Sequence, residues 1–351
     1  MRHKFVKVTL LLVNFVFAVL LVSVYLACLV PPIESGIFQI VGLGVYLYLI
    51  VNVVFIFIWL ILKSKNFLIS FLAILLTLPM LSKEFRFRVK PVQIYSGHIL
   101  SVFTYNARLF NVYDWSPETD MLDSIYLKVK KMNPQIVCFQ EFLDNRKIQS
   151  VKKFASLYKN FVISHRLKAY SFGQAIFSKY KIIQYGFLRL KNHKFGIWAL
   201  IKTNLGKVMV INVHLRSVYF NYSDYVTIDS IRLNTKRLNS IFSKLLTGYK
   251  RRYYETEKLV EFIRNTSFPI ILCGDFNETP FSYTYTNISH LLTDAYVQKG
   301  RLLSNTYRYF VPMFRIDYVF YTGNYFELLK YRRVINDFSD HYGLLVIFGK
   351  K

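Results

Sequence analysis

The chain has 351 residues and carries 46 lysines and arginines against 20 aspartates and glutamates. This length suits one large domain or two ordinary ones, and the excess of positive charge favours an anionic partner, either nucleic acid or an anionic membrane surface. The three cysteines, Cys28, Cys138 and Cys273, show no pairing pattern, which argues against a disulfide-stabilised scaffold.

Three apolar runs occupy residues 1–82. Val8–Val30 and Ile37–Leu62 are each long enough to cross a bilayer, which takes roughly 20 apolar residues, whereas Phe67–Leu81 is shorter. A cleaved signal peptide fits poorly, because two more apolar runs follow the first. We therefore predict an integral, multi-pass transmembrane anchor of about three apolar helices over residues 1–82.

The charges around these runs favour opposite orientations. Arg2, Lys4 and Lys7 favour a cytoplasmic N-terminus, and three crossings from there place the rest of the chain outside the cytoplasmic membrane. The basic cluster Lys83–Lys90 favours the reverse, and a third run that does not cross would leave the C-terminal domain in the cytoplasm. We predict that the C-terminal domain is extracytoplasmic.

The composition changes near residue 83. Residues 1–82 contain five basic residues and one acidic residue, which leaves 41 basic and 19 acidic residues for residues 83–351. Most of the excess positive charge therefore belongs to the C-terminal part. We predict a linker over residues 83–95 and a single domain over residues 96–349.

Strand-like segments alternate with helical segments along this domain. A helix is predicted from Ser116–Glu118, where Ser suits the cap and Pro the first helical position, to just before Asn133. A second helix is predicted over Asp229–Arg264, with a break near Gly248. The strand-like segments are HILSVFTYNA, QIVCFQEF, QAIFSKYKII, KVMVINVHL, IILCGDF, FRIDYVFY and HYGLLVIF. This alternation predicts two sheets packed together and flanked by helices.

Polar side chains stand at the ends of most predicted strands, where a purely structural strand has no use for them. Each one alone fits an ordinary turn or a satisfied buried residue, since Asp, Asn and Gly are common in turns. Together, carboxylates, amides and imidazoles at successive strand ends predict a site on one rim of a pair of sheets. The residues are Asn106, Glu141, His214, Asp275, Asn277, Asp317, Asp340 and His341.

The chemistry of this set indicates a reaction class. Carboxylate and amide oxygens are suitable ligands for Mg²⁺, and the lack of Cys/His pairs at short spacing argues against a zinc site. Two histidines among carboxylates suit the stabilisation of a phosphate and the positioning of protons. The residues thus predict metal-assisted hydrolysis of a phosphoester.

Six segments, FTYNAR, IVCFQEF, INVHLRS, CGDFNETP, RIDYVF and SDHYGL, together resemble the endonuclease/exonuclease/phosphatase superfamily. The resemblance covers roughly residues 96–349, with the main motifs in the family's order. It implies a four-layer α/β sandwich of the DNase I-like type, which here follows the predicted N-terminal helical transmembrane anchor.

The resemblance also implies a site for a divalent metal, Mg²⁺ or Mn²⁺. Glu141 would bind the ion, with assistance from Asn106 and Asp340. Asp340 would in addition orient the imidazole of His341.

The resemblance implies catalytic roles for the remaining polar residues. Asp275 would orient or activate the attacking water, and Asn277 would contact a phosphate oxygen. His214 and His341 would bind and polarise the phosphate, and Asp317 would support the site.

Two features bear on the substrate. Glu278–Pro280 follows Asn277 where the inositol-polyphosphate 5-phosphatases have a basic residue, which disfavours that branch of the family. Arg108 and Arg216 follow Asn106 and His214 closely, and they suit either a contact with phosphate or an ordinary solvated surface.

Three functions remain open. The first is a membrane-anchored, metal-dependent phosphodiesterase or nuclease, and the second is a phosphatase or phosphodiesterase for lipid headgroups or small phosphoesters. Positive charge does not separate these two, because both substrates are anionic. The third, an inactive membrane-bound binding or scaffold protein, is disfavoured by the full set of polar residues.

Overall fold

The structure, a computed structural model, describes residues 2–87, 95–112, 120–165, 172–218, 235–303, 305–308, 314–335 and 337–351. The predicted helix start at Ser116–Glu118 lies outside these residues, as do Arg88 and Lys90 of the basic cluster. The helices are α1 (Arg2–Leu29), α2 (Ile37–Leu43), α3 (Val45–Ile61), α4 (Phe67–Leu81), α5 (Met121–Met132), α6 (Ser150–Ala155), α7 (Thr235–Arg264), α8 (Tyr283–Ser289) and α9 (Ala295–Lys299).

The strands are numbered in chain order. They are β1 (Phe85–Arg86), β2 (Leu100–Asn106), β3 (Ile136–Leu143), β4 (Asn160–His165), β5 (Phe172–Ser178), β6 (Ile182–Leu190), β7 (His193–Thr203), β8 (Gly206–His214), β9 (Ile270–Asp275), β10 (Thr293–Asp294), β11 (Leu302–Leu303), β12 (Asp317–Tyr321), β13 (Phe326–Val334) and β14 (Gly343–Lys350).

The chain forms two compact units that are not simple N- and C-terminal halves. The first unit contains Met1–Glu84, Ser217–Tyr253 and Glu278–Asn287. The second contains the remaining segments, Phe85–Arg216, Tyr254–Asn277 and Ile288–Lys351.

The N-terminal helices match the three predicted apolar runs, and the second run is bent by 56° between α2 and α3. Among the described residues, one helix is long and apolar enough to cross a membrane, namely Lys4–Leu29, and the bent pair makes a second only if it counts as one span. Helix α4 has 15 residues, fewer than the roughly 20 that a bilayer requires. Length and hydropathy alone therefore support fewer crossings than the predicted multi-pass anchor.

Hydrogen bonds from polar side chains to neighbouring helices show the relative directions of α1 and α3. The indole nitrogen of Trp59 donates to Asn14 Oδ1 at 2.8 Å, and Asn52 Nδ2 donates to the Phe17 carbonyl at 3.0 Å. Residue numbers rise along α1 as they fall along α3, so the two helices are antiparallel.

The same side chain of α1 also contacts α4. Asn14 Nδ2 donates to Ser70 Oγ at 2.6 Å, and the Tyr25 hydroxyl donates to the Leu76 carbonyl at 2.8 Å. Residue numbers rise along both helices, so α4 is parallel to α1. The chain therefore runs along this bundle, returns, and runs along it again.

The bundle has a polar interior and an apolar exterior. Asn14, Asn52 and Ser70 are fully buried. Large apolar side chains are more than half exposed, among them Phe5, Leu12, Phe15, Leu47, Phe57, Ile61, Leu72 and Leu76. A protein in water rarely exposes apolar patches of this extent, whereas helices in lipid direct their polar groups towards one another.

The second unit is built on two six-stranded sheets. The first has the strand order β13-β14-β2-β3-β5-β4, and the second has the order β10-β12-β9-β8-β7-β6. The pairs β2/β3 and β8/β9 are parallel, and their neighbours are antiparallel. A small additional sheet joins β1 to β11.

Alternation along the strands directs side chains into two cores. Val102 of β2 and Cys138 of β3 lie between the sheets, in one cluster with Ile271 of β9. The residues that follow them, Phe103 and Phe139, belong to a second cluster on the opposite face, where α5 and α6 pack. Successive side chains of a strand point to opposite faces, so β2 and β3 are buried on both sides.

A helix also covers the outer face of the second sheet. Trp198 of β7 and Phe262 of α7 pack with their ring centroids 5.7 Å apart. The order of layers is therefore helix, sheet, sheet, helix, which confirms the predicted four-layer α/β sandwich.

Two predicted elements were wrong in detail. The segment QAIFSKYKII contains two strands in different sheets, because β5 ends at Ser178, whose hydroxyl accepts from the Tyr180 amide at 2.9 Å and closes a turn. Helix α7 is continuous through Gly248. A Cβ at Gly248 would approach Val218 to 2.9 Å, so this glycine permits close packing and does not break the helix.

Gly274 sits in β9 next to Val213 of β8, with φ +142°. A Cβ there would lie 1.9 Å from the Val213 carbonyl oxygen. We expect Gly274→Ala to lower the free energy of unfolding by more than about 2 kcal/mol, because both backbone strain and a clash result. Thermal unfolding of the full chain in detergent micelles measures this. The exposed β6 substitution Gln184→Ala is the control, expected to fall within about 0.5 kcal/mol of the parent. Equal stability of Gly274→Ala and the parent would contradict the strand geometry.

Candidate active site

The sheet topology brings the predicted strand ends to one edge. The parallel pairs β2/β3 and β8/β9 end at the same edge. Strands β12 and β14 run antiparallel to β9 and β2, so they begin there. In register, Asp275 lies beside His214 on one side and beside Asp317 on the other.

Glu141 is aimed by an irregularity in β3. The register between β3 and β5 shifts between Phe139 and Phe142, and Glu141 has φ +48°. Positive φ is uncommon for residues other than glycine, and a bulge redirects a side chain that regular pleating would place elsewhere. The Glu141 carboxylate lies 3.7 Å from His214 Nε2, and its side chain is 28% exposed.

Asp275 is the buried centre of the site. Its Oδ2 accepts from Asn106 Nδ2 at 3.0 Å, and its Oδ1 accepts from the Asn277 amide at 2.9 Å. Asn277 Nδ2 donates to the Leu215 carbonyl at 3.1 Å, and Asn106 Oδ1 accepts from the Arg108 amide at 3.0 Å. Both Asp275 oxygens are thereby fixed in position.

His341 pairs with a different carboxylate from the one that the resemblance implied. Its Nδ1 is 2.8 Å from Asp317 Oδ2, whereas its Nε2 is 4.0 Å from Asp340 Oδ1 and 3.8 Å from Asp275 Oδ2. Asp317 therefore orients the imidazole. Asp340 instead lies 3.4 Å from Arg108 Nε.

Three further residues that sequence reasoning missed hold this pair. Thr306 Oγ1 accepts from the Asp317 amide at 3.0 Å, and Ser339 Oγ accepts from the His341 amide at 3.2 Å. The Tyr307 ring meets the His341 ring edge-on, with centroids 5.2 Å apart. No strand-end pattern marks these residues in the sequence.

Polar side chains between the sheets support the site from below. Gln140 Nε2 donates to Asn212 Oδ1 at 2.6 Å and to Thr104 Oγ1 at 2.9 Å. Asn212 Nδ2 donates to the carbonyls of Phe139 and Ala175, at 2.9 and 3.1 Å. Gln140 immediately precedes Glu141 in the chain, so this network joins the two sheets just beneath the rim.

The buried charges act on one another. Burial raises the pKa of Asp275 to about 7, with His341 opposing the shift and Asp317 adding to it. Burial would lower the pKa of His341, but Asp317, Asp275 and Asp340 together raise it well above its ordinary value. His341 Nε2 lies 3.8 Å from Asp275 Oδ2, too far for a direct hydrogen bond but close enough for attraction between opposite charges. A carboxylate with a pKa near 7 suits the acceptance of a proton.

Two carboxylates and an imidazole form a group that could hold a metal ion once the imidazole has lost its proton. Within the described part of the chain, donor atoms of Asp275, Asp317 and His341 all lie within 4.8 Å of one another. The predicted ligand set is different, but its carboxylates Glu141 and Asp340 stand at the same edge. All the carboxylates offer oxygen, which Mg²⁺ and Mn²⁺ prefer.

Comparisons with known proteins agree with this fold. A model of the Endonuclease/Exonuclease/phosphatase family matches residues 103–341, and a model described as Domain of unknown function (DUF8431) matches residues 4–83. The comparison with curated proteins gives no match.

Several solved structures share the fold at low sequence identity. The human Nocturnin catalytic domain is 16% identical, with 72% of this chain and 94% of that chain covered and a TM-score of 0.51. D. rerio TDP2 complexed with single strand DNA product is 16% identical, with coverage of 72% and 99% and a TM-score of 0.51. An endonuclease/exonuclease/phosphatase from Bacteroides vulgatus is 16% identical, with coverage of 72% and 100% and a TM-score of 0.53. The family model matches more than half of the residues of this chain, so the chain belongs to the endonuclease/exonuclease/phosphatase family.

Proposed function

We propose that this protein is a membrane-anchored, divalent-metal-dependent phosphoester hydrolase, and specifically a phosphodiesterase or nuclease. The observation that carries the proposal is the buried Asp275, held by Asn106 and Asn277 between two histidines. An inactive scaffold has no need to keep this costly arrangement of buried polar groups.

Asp275 is the proposed acceptor of a proton from the attacking water. Its two oxygens are oriented by Asn106 Nδ2 and the Asn277 amide, so the remaining lone pairs point in fixed directions. A general base with a pKa near the working pH is the most effective one.

The histidines are the proposed phosphate contacts. Nδ1 of His341 donates to Asp317, and the raised pKa of His341 favours the imidazolium, in which Nε2 also carries a proton and can donate to a phosphate oxygen. His214 Nε2 lies 3.7 Å from both Glu141 and Asp275, so it faces the same space. Donors fixed in advance around a developing negative charge stabilise the transition state.

Glu141, with Asn106 and Asp340, is the proposed holder of Mg²⁺ or Mn²⁺, which when bound polarises a phosphate oxygen as a Lewis acid. The bulge at Glu141 turns this carboxylate to the partly exposed rim. There the ion can keep water ligands, as Mg²⁺ usually does.

The nature of the substrate has two candidates. Nucleic acid is supported by the positive charge of residues 83–351 and by a structural neighbour captured with single strand DNA product. A lipid headgroup or small phosphoester is the second candidate, supported by the apolar exterior of the N-terminal bundle, which would keep the enzyme at a membrane.

We expect Asp275→Asn, Glu141→Ala and His341→Ala each to reduce phosphoester hydrolysis by ~10²–10⁴-fold, because each removes a proton acceptor, a metal ligand or a phosphate donor. Initial rates of the full chain in detergent measure this, with a panel of DNA, RNA, phospholipids and inositol phosphates as substrates. Glu261→Gln is the matched control, since Glu261 is an exposed carboxylate paired with Lys258. Near-parental turnover in all three variants, with folding intact, would sink the catalytic assignment.

We expect hydrolysis to stop after exhaustive chelation and to return with Mg²⁺ or Mn²⁺, because an oxygen donor set binds these ions. Rates before and after chelation, and after addition of each ion, measure this. Full activity in the chelated protein would exclude a metal from the reaction.

We also propose that residues 1–82 lie in the membrane, that residues 83–95 link them to the domain at residues 96–349, and that all three apolar runs cross. The polar interior and apolar exterior of the bundle support this. Helix α4 is short, but it runs parallel to α1. A turn that contains Lys83 extends the chain beyond the end of α4.

Within the first unit, the segment around Tyr283 contacts one end of the helical bundle. Gln39 Nε2 donates to the Ala27 carbonyl near the end of α1, and its Oε1 accepts from the Tyr283 amide at a long 3.5 Å. The segment around Tyr283 therefore meets α1 at the end remote from the N-terminus.

With a cytoplasmic N-terminus, we expect the domain to be extracytoplasmic. A reporter active only outside the cytoplasm, fused after Lys351, should give a signal, and one active only inside should be silent. The reverse pattern would show that an even number of spans crosses the bilayer.

A further inference from the structure

We propose that the N-terminal helices support the active site as well as anchoring the protein, because they hold the segment that continues directly from the catalytic residues. This segment, Glu278–Asn287, is called the docking segment. It belongs to the same compact unit as the helices. The inference rests on the proposed function, since it concerns the positioning of Asp275 and Asn277.

The first contact is made by Phe281, whose side chain is 1% exposed. Its ring lies edge-on to the Tyr46 ring, with centroids 5.9 Å apart. A Cβ at Gly42 would come within 2.8 Å of the Phe281 carbonyl oxygen and 2.9 Å of Ala27 Cβ. Glycine at position 42 thus lets α1, α2 and the docking segment approach one another closely.

The second contact is made by buried Gln39. Its amide donates to the Ala27 and Val30 carbonyls at 2.7 and 3.3 Å, which caps the end of α1, and its oxygen accepts from the Tyr283 amide. Lys83, beyond α4, places its ammonium 5.3 Å from the centre of the Tyr285 ring. The docking segment therefore contacts the bundle through aromatic, amide and charged groups.

The third contact fixes the first residue of the segment. Glu278 accepts from Arg252 Nε at 2.5 Å, and the two side chains are only 5% and 2% exposed. The Arg252 guanidinium also lies 4.6 Å from the centre of the Tyr249 ring. Breaking one side of a buried ion pair is strongly destabilising, because the other charge remains buried.

This contact also gives a reason for the departure noted in the sequence. Where the 5-phosphatase pattern has a basic residue, Glu278 pairs inward with Arg252. A basic residue there would place two buried positive charges together. In this chain the position forms an internal ion pair within the first unit.

Covalent continuity carries the constraint to the catalytic residues. Asn277, with φ +51°, is joined directly to Glu278 and supplies the amide that orients Asp275. A shift of about 1 Å at a reacting group can cost about 10²-fold in rate. Helix α7 holds Glu278, and the N-terminal helices hold the residues from Phe281 onwards, so the segment that directly follows the Asp275–Asn277 turn is fixed in position.

The test uses the full chain in detergent micelles with bis(4-nitrophenyl) phosphate as the probe. We expect Tyr46→Ala and Phe281→Ala to lower kcat by about 10- to 100-fold with KM changed less than about twofold. Tyr46→Phe keeps the ring and should keep the activity. Leu47→Ala is the control, because Leu47 is the next residue but is 57% exposed. Parental kcat in both alanine variants would overturn the inference.

Two measurements do not depend on catalysis. Amide hydrogen exchange should become faster over residues 277–287 in Tyr46→Ala, while β8 and β3 keep their protection. Unchanged exchange over residues 277–287 would overturn the inference. Loss of protection everywhere would show that the variant is unfolded, and Tyr46→Leu would then replace it. A protease site inserted between Phe87 and Tyr95 allows cleavage after purification. The C-terminal fragment should remain bound to a tagged N-terminal fragment, and its release would overturn the inference. If the parent hydrolyses no probe, the proposed function fails while these two measurements still decide the docking.

Discussion

The burial of one carboxylate, Asp275, is the constraint on which the site depends. A buried carboxylate is tolerated only with hydrogen bonds and opposite charge around it, and here these come from Asn106, Asn277 and His341. The donors belong to both sheets, so the sheets must meet with their strand ends level. The Gln140–Asn212 network between the sheets holds them in that arrangement.

Much of the site was predictable because strand ends are marked in the sequence. An apolar run typical of a strand, followed by Asn106, His214 or Asp275, indicates both the strand and the edge of the sheet at which it ends. Parallel neighbouring strands bring those ends together. The remaining geometry was not predictable. The bulge that turns Glu141 depends on pairing with β5. The choice of Asp317 over Asp340 as the partner of His341 depends on how the two sheets pack, because β12 and β14 belong to different sheets.

The same distinction applies to the architecture. Apolar runs revealed the N-terminal helices, and alternation revealed the sandwich, because both signals are local. The continuous α7 was missed because glycine usually weakens a helix, and only a distant neighbour, Val218, shows why one stands at position 248. The grouping of residues 217–253 and 278–287 with the N-terminal helices has no local signal at all, since it consists of contacts between distant parts of the chain.

The hydrogen bond between Tyr283 and Gln39 joins residues 244 positions apart, and this separation has a consequence for biosynthesis. At about 5–20 residues per second, Gln39 is made on the order of 10 s or more before Tyr283. The N-terminal helices therefore have time to pack against one another before the docking segment exists. The contacts of the N-terminal helices with the docking segment therefore form late, and the first unit cannot be complete until most of the chain has been made.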